Sequence, residues 1–122
     1  MQDDDGRIEK DNIVQLGTEM TVLERLVLLS ILPKEGDFVT LKLVRKLREN
    51  LSFDEAEIKE LNFAQDGDQV RWNEKASIIK RINIGEKMSD LIQGALKKLD
   101  DEKKLREEHF SLYEKFMEKK QD

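Results

Sequence analysis

The chain has 122 residues, a net charge of −5, one histidine and no cysteine. That length fits one domain with a core of its own. The absence of cysteine excludes a disulfide framework, a thiolate zinc site and a cysteine nucleophile.

The charge is unevenly placed. Residues 1–20 carry six acids and two bases, whereas residues 21–85 carry eleven of each and residues 86–122 carry ten acids and nine bases. Residues 1–19 are therefore expected to form an acidic, mobile leader ahead of a nearly neutral domain spanning 20–120. Met1-Gln-Asp-Asp-Asp-Gly6 lacks the basic start and apolar stretch of a secretion signal. The expectation is a soluble cytoplasmic protein with no membrane partner.

The first predicted helix is Thr21 to Leu32, with Thr21 and Glu24 at capping-box spacing. Val22, Leu23, Leu26, Val27, Leu28, Leu29, Ile31 and Leu32 cover more than one face, which marks a core helix. It is too short to span a bilayer, which needs about 20 residues. Pro33 to Asp37 turns the chain. A second helix follows with Phe38, Leu41, Val44, Leu47 and Leu51 as its apolar stripe, widened by Val39 and Leu43. Ser52 and Glu55 are spaced as a second capping box for a short third helix, with Ala56, Ile58 and Leu61 available to pack.

The period then changes. Phe63 to Asn73 contains an Asp66-Gly67 turn and the alternation of Val70 and Trp72, a hairpin signal. Lys80 to Ile84 alternates again, giving a third strand or replacing the first, so the hairpin region is set at 63–84. Glu74 to Ser77 reads as a loop. From Gly85 the helical period returns with Met88, Leu91, Ile92, Ala95, Leu96 and Leu99. Asp100 to Lys104 interrupts it. Leu105 and Phe110 then have hydrophobic-staple spacing around a helix start at Arg106, and Leu112, Tyr113, Phe116 and Met117 continue the stripe. Two helices folded back on each other are expected rather than one long bent helix. The predicted class is α+β and mainly helical. About five helices surround a central apolar helix, with a small β-hairpin and an order compatible with a winged helix.

No motif carries catalysis. His109 lies in a charged helical stretch with no second histidine at helical spacing, the glycines are isolated, and Asp66-Gly-Asp68 is explained by a turn. No enzyme activity, metal or cofactor is expected. A winged helix would read DNA with its third helix, but here that segment carries Asp54, Glu55, Glu57 and Glu60 against Lys59 alone. The bases lie elsewhere: Lys42, Arg45, Lys46 and Arg48 on the second helix, and Arg71, Lys75, Lys80 and Arg81 around the hairpin. A nucleic-acid interface would use Lys42, Arg45, Lys46, Arg71, Lys80 and Arg81, as the alternative reading. The preferred reading is a protein-binding or structural accessory protein whose partner is another protein or a second copy of itself. Its interface candidates are Trp72, Phe110, Tyr113, Phe116 and Met117.

The run from Leu23 to Lys42, with Trp72-Asn73 and Leu112-Tyr-Glu-Lys-Phe116, resembles small phage and prophage proteins of gut bacteria whose function is unknown. The likeness covers residues from about 20 to 117 and rests on structural residues. It implies an accessory role for a mobile element, in the host cell or the virion. It also implies Thr as the cap of the last helix, where this chain has Arg106.

Overall fold

The structure is a computed structural model that describes residues 17–118. It has a mainly helical α+β fold. In chain order the elements are β1 (Gly17–Thr21), α1 (Val22–Ile31), α2 (Phe38–Leu51), α3 (Glu55–Leu61), β2 (Ala64–Asp66), β3 (Gln69–Arg71), β4 (Ile79–Asn83), α4 (Glu86–Asp101) and α5 (Phe110–Tyr113). Short 3-10 turns occupy Glu74–Ala76 and Glu107–His109, and Glu114–Glu118 continues α5 as a π-helical turn.

Among the described residues the strands form two separate two-stranded antiparallel sheets rather than one three-stranded sheet. β2 and β3 make the predicted hairpin, pairing Ala64 with Arg71 and Asp66 with Gln69. Gly67 takes a φ of 65° at the first position of the two-residue loop, a conformation that glycine adopts without steric cost. β4 instead pairs with β1, matching Gly17 to Asn83 and Thr21 to Ile79. Gly17 to Glu19 thus belong to the fold and correct the leader boundary, while residues 1–16 of the predicted leader lie outside the described residues. A Cβ at Gly17 would stand 2.5 Å from Arg81 Cγ, so a larger residue there would force the exposed Arg81 side chain to move.

The Thr21–Glu24 capping box is present: Glu24 N–H donates to Thr21 Oγ1 at 3.1 Å and Thr21 N–H donates to Glu24 Oε1 at 3.0 Å. Val27, Leu28 and Leu32 then bury against Val44, Leu47 and Leu51 of α2, Ile92 and Leu96 of α4, and Leu112 and Phe116 near the C-terminus. Met20 and Ile82 close this core from the β1–β4 sheet. Burying each such side chain contributes about 1.5–3 kcal/mol.

Three expectations need correction. The α2 stripe is shorter than its periodicity implies: Val44, Leu47 and Leu51 are buried, but Phe38, Val39 and Leu41 are exposed. At about 3.6 residues per turn, steps of three drift round the helix, so Phe38 and Val39 face away from the side that buries Val44, Leu47 and Leu51. The cap of α3 is Asp54 with Glu57, not Ser52 with Glu55, because Ser52 ends α2 by donating its N–H to Arg48 O. The expected packing residues of α3 also thin out, since Leu61 is buried while Ile58 and Ala56 are exposed.

At the C-terminal end the chain reverses as expected. α4 ends at Asp101, and Lys103 adopts a left-handed φ of 59°. The last segment returns along α4, held where Gln93 Nε2 donates to Phe116 O at 2.7 Å and Tyr113 Oη donates to Asp100 Oδ2 at 3.0 Å.

Candidate interaction surfaces

Two adjacent residues of α1, Glu24 and Arg25, are buried charges, and each ties the central helix to a different part of the molecule. Arg25 has no solvent exposure. Its Nη1 donates to Glu57 Oε2 at 2.8 Å and its Nη2 to Glu57 Oε1 at 3.1 Å, a two-pronged pair. Its Nε and Nη2 also donate to Leu51 O at 3.2 Å and Ser52 O at 2.7 Å. Those are carbonyls that the end of α2 leaves without helical partners. The guanidinium stacks 3.8 Å from the Phe53 ring centre. Hydrogen bonding from Arg25, with the Asp54 N–H, holds the Glu57 carboxyl down to about 2. Lys80, 3.7 Å away, adds to the same effect.

Glu24 meets a different part of the molecule. Burial pushes its carboxyl up, but the Lys115 ammonium and the Thr21 N–H more than offset that and leave it below the ordinary range. Lys115 Nζ donates to Glu24 Oε1 and to Glu19 O, each at 2.6 Å. One cation therefore joins β1, α1 and the C-terminal π turn. The sequence offered only a capping role for Glu24 and no role for Arg25. The missed signal is a charged pair inside an otherwise apolar helical run.

His109 is also buried, and its Nδ1 accepts the Arg106 N–H at 2.8 Å. The imidazole performs the capping that Arg106 cannot. Among the described residues, no group of three or more acidic or histidine side chains comes together to hold a metal ion.

The expected protein-interface residues divide. Phe116 and its neighbour Leu112 are core, which removes Phe116 from any interface. Tyr113 and Met117 pack partly against that core. Phe110 remains 61 % exposed, so Leu105 and Phe110 do not close a buried staple. Trp72 is half-buried. Its ring lies 6.4 Å from Phe63, which meets Phe53 edge-on at 5.1 Å. This aromatic row, with Asn73 N–H donating to Leu61 O at 2.8 Å, seats the hairpin on α3. Beside it, Leu23, Leu61, Trp72 and Ile79 border an apolar groove of about 400 Å³.

The six expected nucleic-acid contacts divide as well. Arg71 pairs with Asp66 at 3.5 Å, Lys80 with Asp54 at 3.8 Å and Glu57 at 3.7 Å, and Arg81 with Glu19 at 3.3 Å. Lys42, Arg45 and Lys46 are exposed on α2, and none has an ion-pair partner among the described residues. They adjoin Phe38 and Val39, which are 77 % and 74 % exposed. A groove of about 430 Å³ bordered by Pro33, Lys34, Leu41, Arg45 and Arg48 extends the basic character around the helix. Periodicity alone had assigned Phe38, Val39 and Leu41 to the core.

Among the described residues, no helix is long and apolar enough to cross a membrane. Compared with protein-family models, curated proteins and solved structures, the chain matches none.

Proposed function

We propose that the protein is a non-catalytic binding module whose interface is the exposed face of α2. The observation that carries this reading is the juxtaposition there of Phe38 and Val39 with Lys42, Arg45 and Lys46, cations that have no ion-pair partner among the described residues. A large exposed aromatic side chain beside charges supplies an anchor and a means of choosing partners. The chemistry fits a protein partner with an acidic surface and an apolar pocket. The likeness to small phage and prophage proteins is consistent with an accessory role in a bacterial host cell or a virion.

The test is capture from a bacterial lysate, with and without nuclease, by the wild-type chain and by Phe38→Ala and Lys42→Glu/Lys46→Glu variants. A stoichiometric protein that survives nuclease and is lost with both variants is the expected result. Equal capture by all three chains would remove α2 as the interface.

A second reading, nucleic-acid binding, is favoured by the same exposed bases with Arg48 on one helix. It requires duplex affinity that falls steeply with salt and drops further in Lys42→Glu/Lys46→Glu. Absence of duplex binding at low salt would eliminate it.

A further inference from the structure

The α2 face has a candidate ligand within the same chain. Helix α2 carries Lys42, Arg45, Lys46 and Arg48 against Glu49 alone, a net of +3. Residues 1–16 carry Asp3, Asp4, Asp5, Glu9 and Asp11 against Arg7 and Lys10, a net of −3. They also supply apolar residues, Ile8, Ile13, Val14 and Leu16, that could meet Val39 and Phe38.

The attachment point is suitable. Gly17 pairs with Asn83 in the β1–β4 sheet, and Asn83 O accepts Asn50 Nδ2 at 2.9 Å. The segment therefore joins the fold beside the C-terminal end of α2. Val39, Leu43, Lys46 and Asn50 recur at spacings of four, three and four, which places them on one side of the helix, with Lys42 adjoining. From Asn50 back to Phe38 the helix measures about 18 Å at 1.5 Å per residue. Sixteen extended residues can span up to roughly 50 Å. Every acid of the segment can reach this row of side chains.

We propose that residues 1–16 act as an intramolecular acidic ligand for the Val39–Lys42–Lys46 row of α2 and compete with an outside acidic partner for it. This regulatory role rests on α2 being the binding face. Attachment makes the internal ligand's effective concentration high without requiring tight intrinsic affinity. Its hold weakens with salt, since the attraction acts between exposed charges.

The full chain permits a direct test because it has no cysteine of its own. A nitroxide attached through Gln2→Cys leaves every charge of the segment in place. The expected result is selective NMR broadening of the Val39, Lys42, Leu43 and Lys46 amides. That broadening should be relieved in about 1 M salt, where screening falls to about 3 Å, and in Lys42→Glu/Lys46→Glu. No broadening of α2, or broadening unchanged in the double variant, would overturn the proposal.

A poly-glutamate peptide separates this outcome from the fate of the interface itself. Neutralising the segment with Asp3→Asn/Asp4→Asn/Asp5→Asn should tighten peptide binding several-fold. Peptide binding that depends on Lys42 and Lys46 but is indifferent to these neutralisations would defeat the internal-ligand proposal and leave the face standing. Broadening as expected, with no peptide binding in either chain, would support the internal contact and remove the acidic-partner reading.

Discussion

Helices α1 and α2 carry the same kind of cationic side chain to opposite ends. On α1, Arg25 is fully enclosed, and Glu57, two backbone carbonyls and the Phe53 ring surround it. On α2, Lys42, Arg45 and Lys46 stand in solvent with no ion-pair partner among the described residues. A guanidinium removed from water must recover its hydrogen bonds within the protein, so its surroundings are specified in detail. An exposed ammonium has no such requirement and stays available for a partner. Enclosure fixes the surroundings of Arg25 on α1, whereas the proposed binding face on α2 keeps its cations in solvent.

The largest effect should come from breaking the enclosed charge. Arg25→Ala leaves Glu57 with only the longer Lys80 contact at 3.7 Å and strips the Leu51 and Ser52 carbonyls of a donor, and should cost about 3–5 kcal/mol of stability. Chemical denaturation measures it, and a loss below about 1 kcal/mol would mean that Arg25 does not join α1 to α2 and α3. Leu28→Ala, a deletion in the packed centre, should cost roughly 2–5 kcal/mol. Under about 0.5 kcal/mol for Leu28→Ala, α1 would not be central.

Acid should act through the same pair. The Glu57 carboxyl is held at about 2 in the fold against 4.5 ordinarily. A lowered folded value means that its contribution is complete above pH 4.5 and is lost as pH falls toward about 2. At 1.36 kcal/mol per unit the shift sets an upper bound of about 3 kcal/mol, which solvent screening at this boundary position reduces. Glu24, also held below its usual range, acts in the same direction. In Glu57→Gln the decline of stability across this acid range should flatten. An unchanged slope would show that other carboxylates govern acid unfolding.

His109→Ala removes the acceptor for the Arg106 N–H and should cost about 1 kcal/mol, the usual value of a helix cap. His109→Asn, which can still accept, should recover part of it. The smallest stability effect belongs to Lys42→Glu/Lys46→Glu, within about 0.5 kcal/mol because both residues are exposed. Large destabilisation there would sharpen the comparison in the wrong direction, making α2's cations structural.

Much of the fold was legible because its signals are local. Thr21 and Glu24 cap within one turn, Gly67 fits a two-residue turn, and the apolar periods of 3.6 residues mark α1, α2 and α4. The interruption at Asp100 to Lys104 correctly separates α4 from the last helical segment. The candidate site was only half legible. Sequence singled out Lys42, Arg45 and Lys46, but could not separate them from Arg71, Lys80 and Arg81, whose acidic partners arrive through the fold. It also assigned Phe38 and Val39 to the interior, because a row of steps of three drifts round the helix and by Leu47 has turned about 180° from Phe38.

Local sequence was enough to set where α1 begins, which segments are helical and where the hairpin turns. Those properties depend on residues within a few positions of one another. Tertiary structure alone decided that β4 pairs with β1 across the chain, that Arg25 is enclosed and that Phe38 is left outside. Each of these depends on which distant segment occupies the adjoining space, and the free energy of burial is set by that neighbour rather than by the residue.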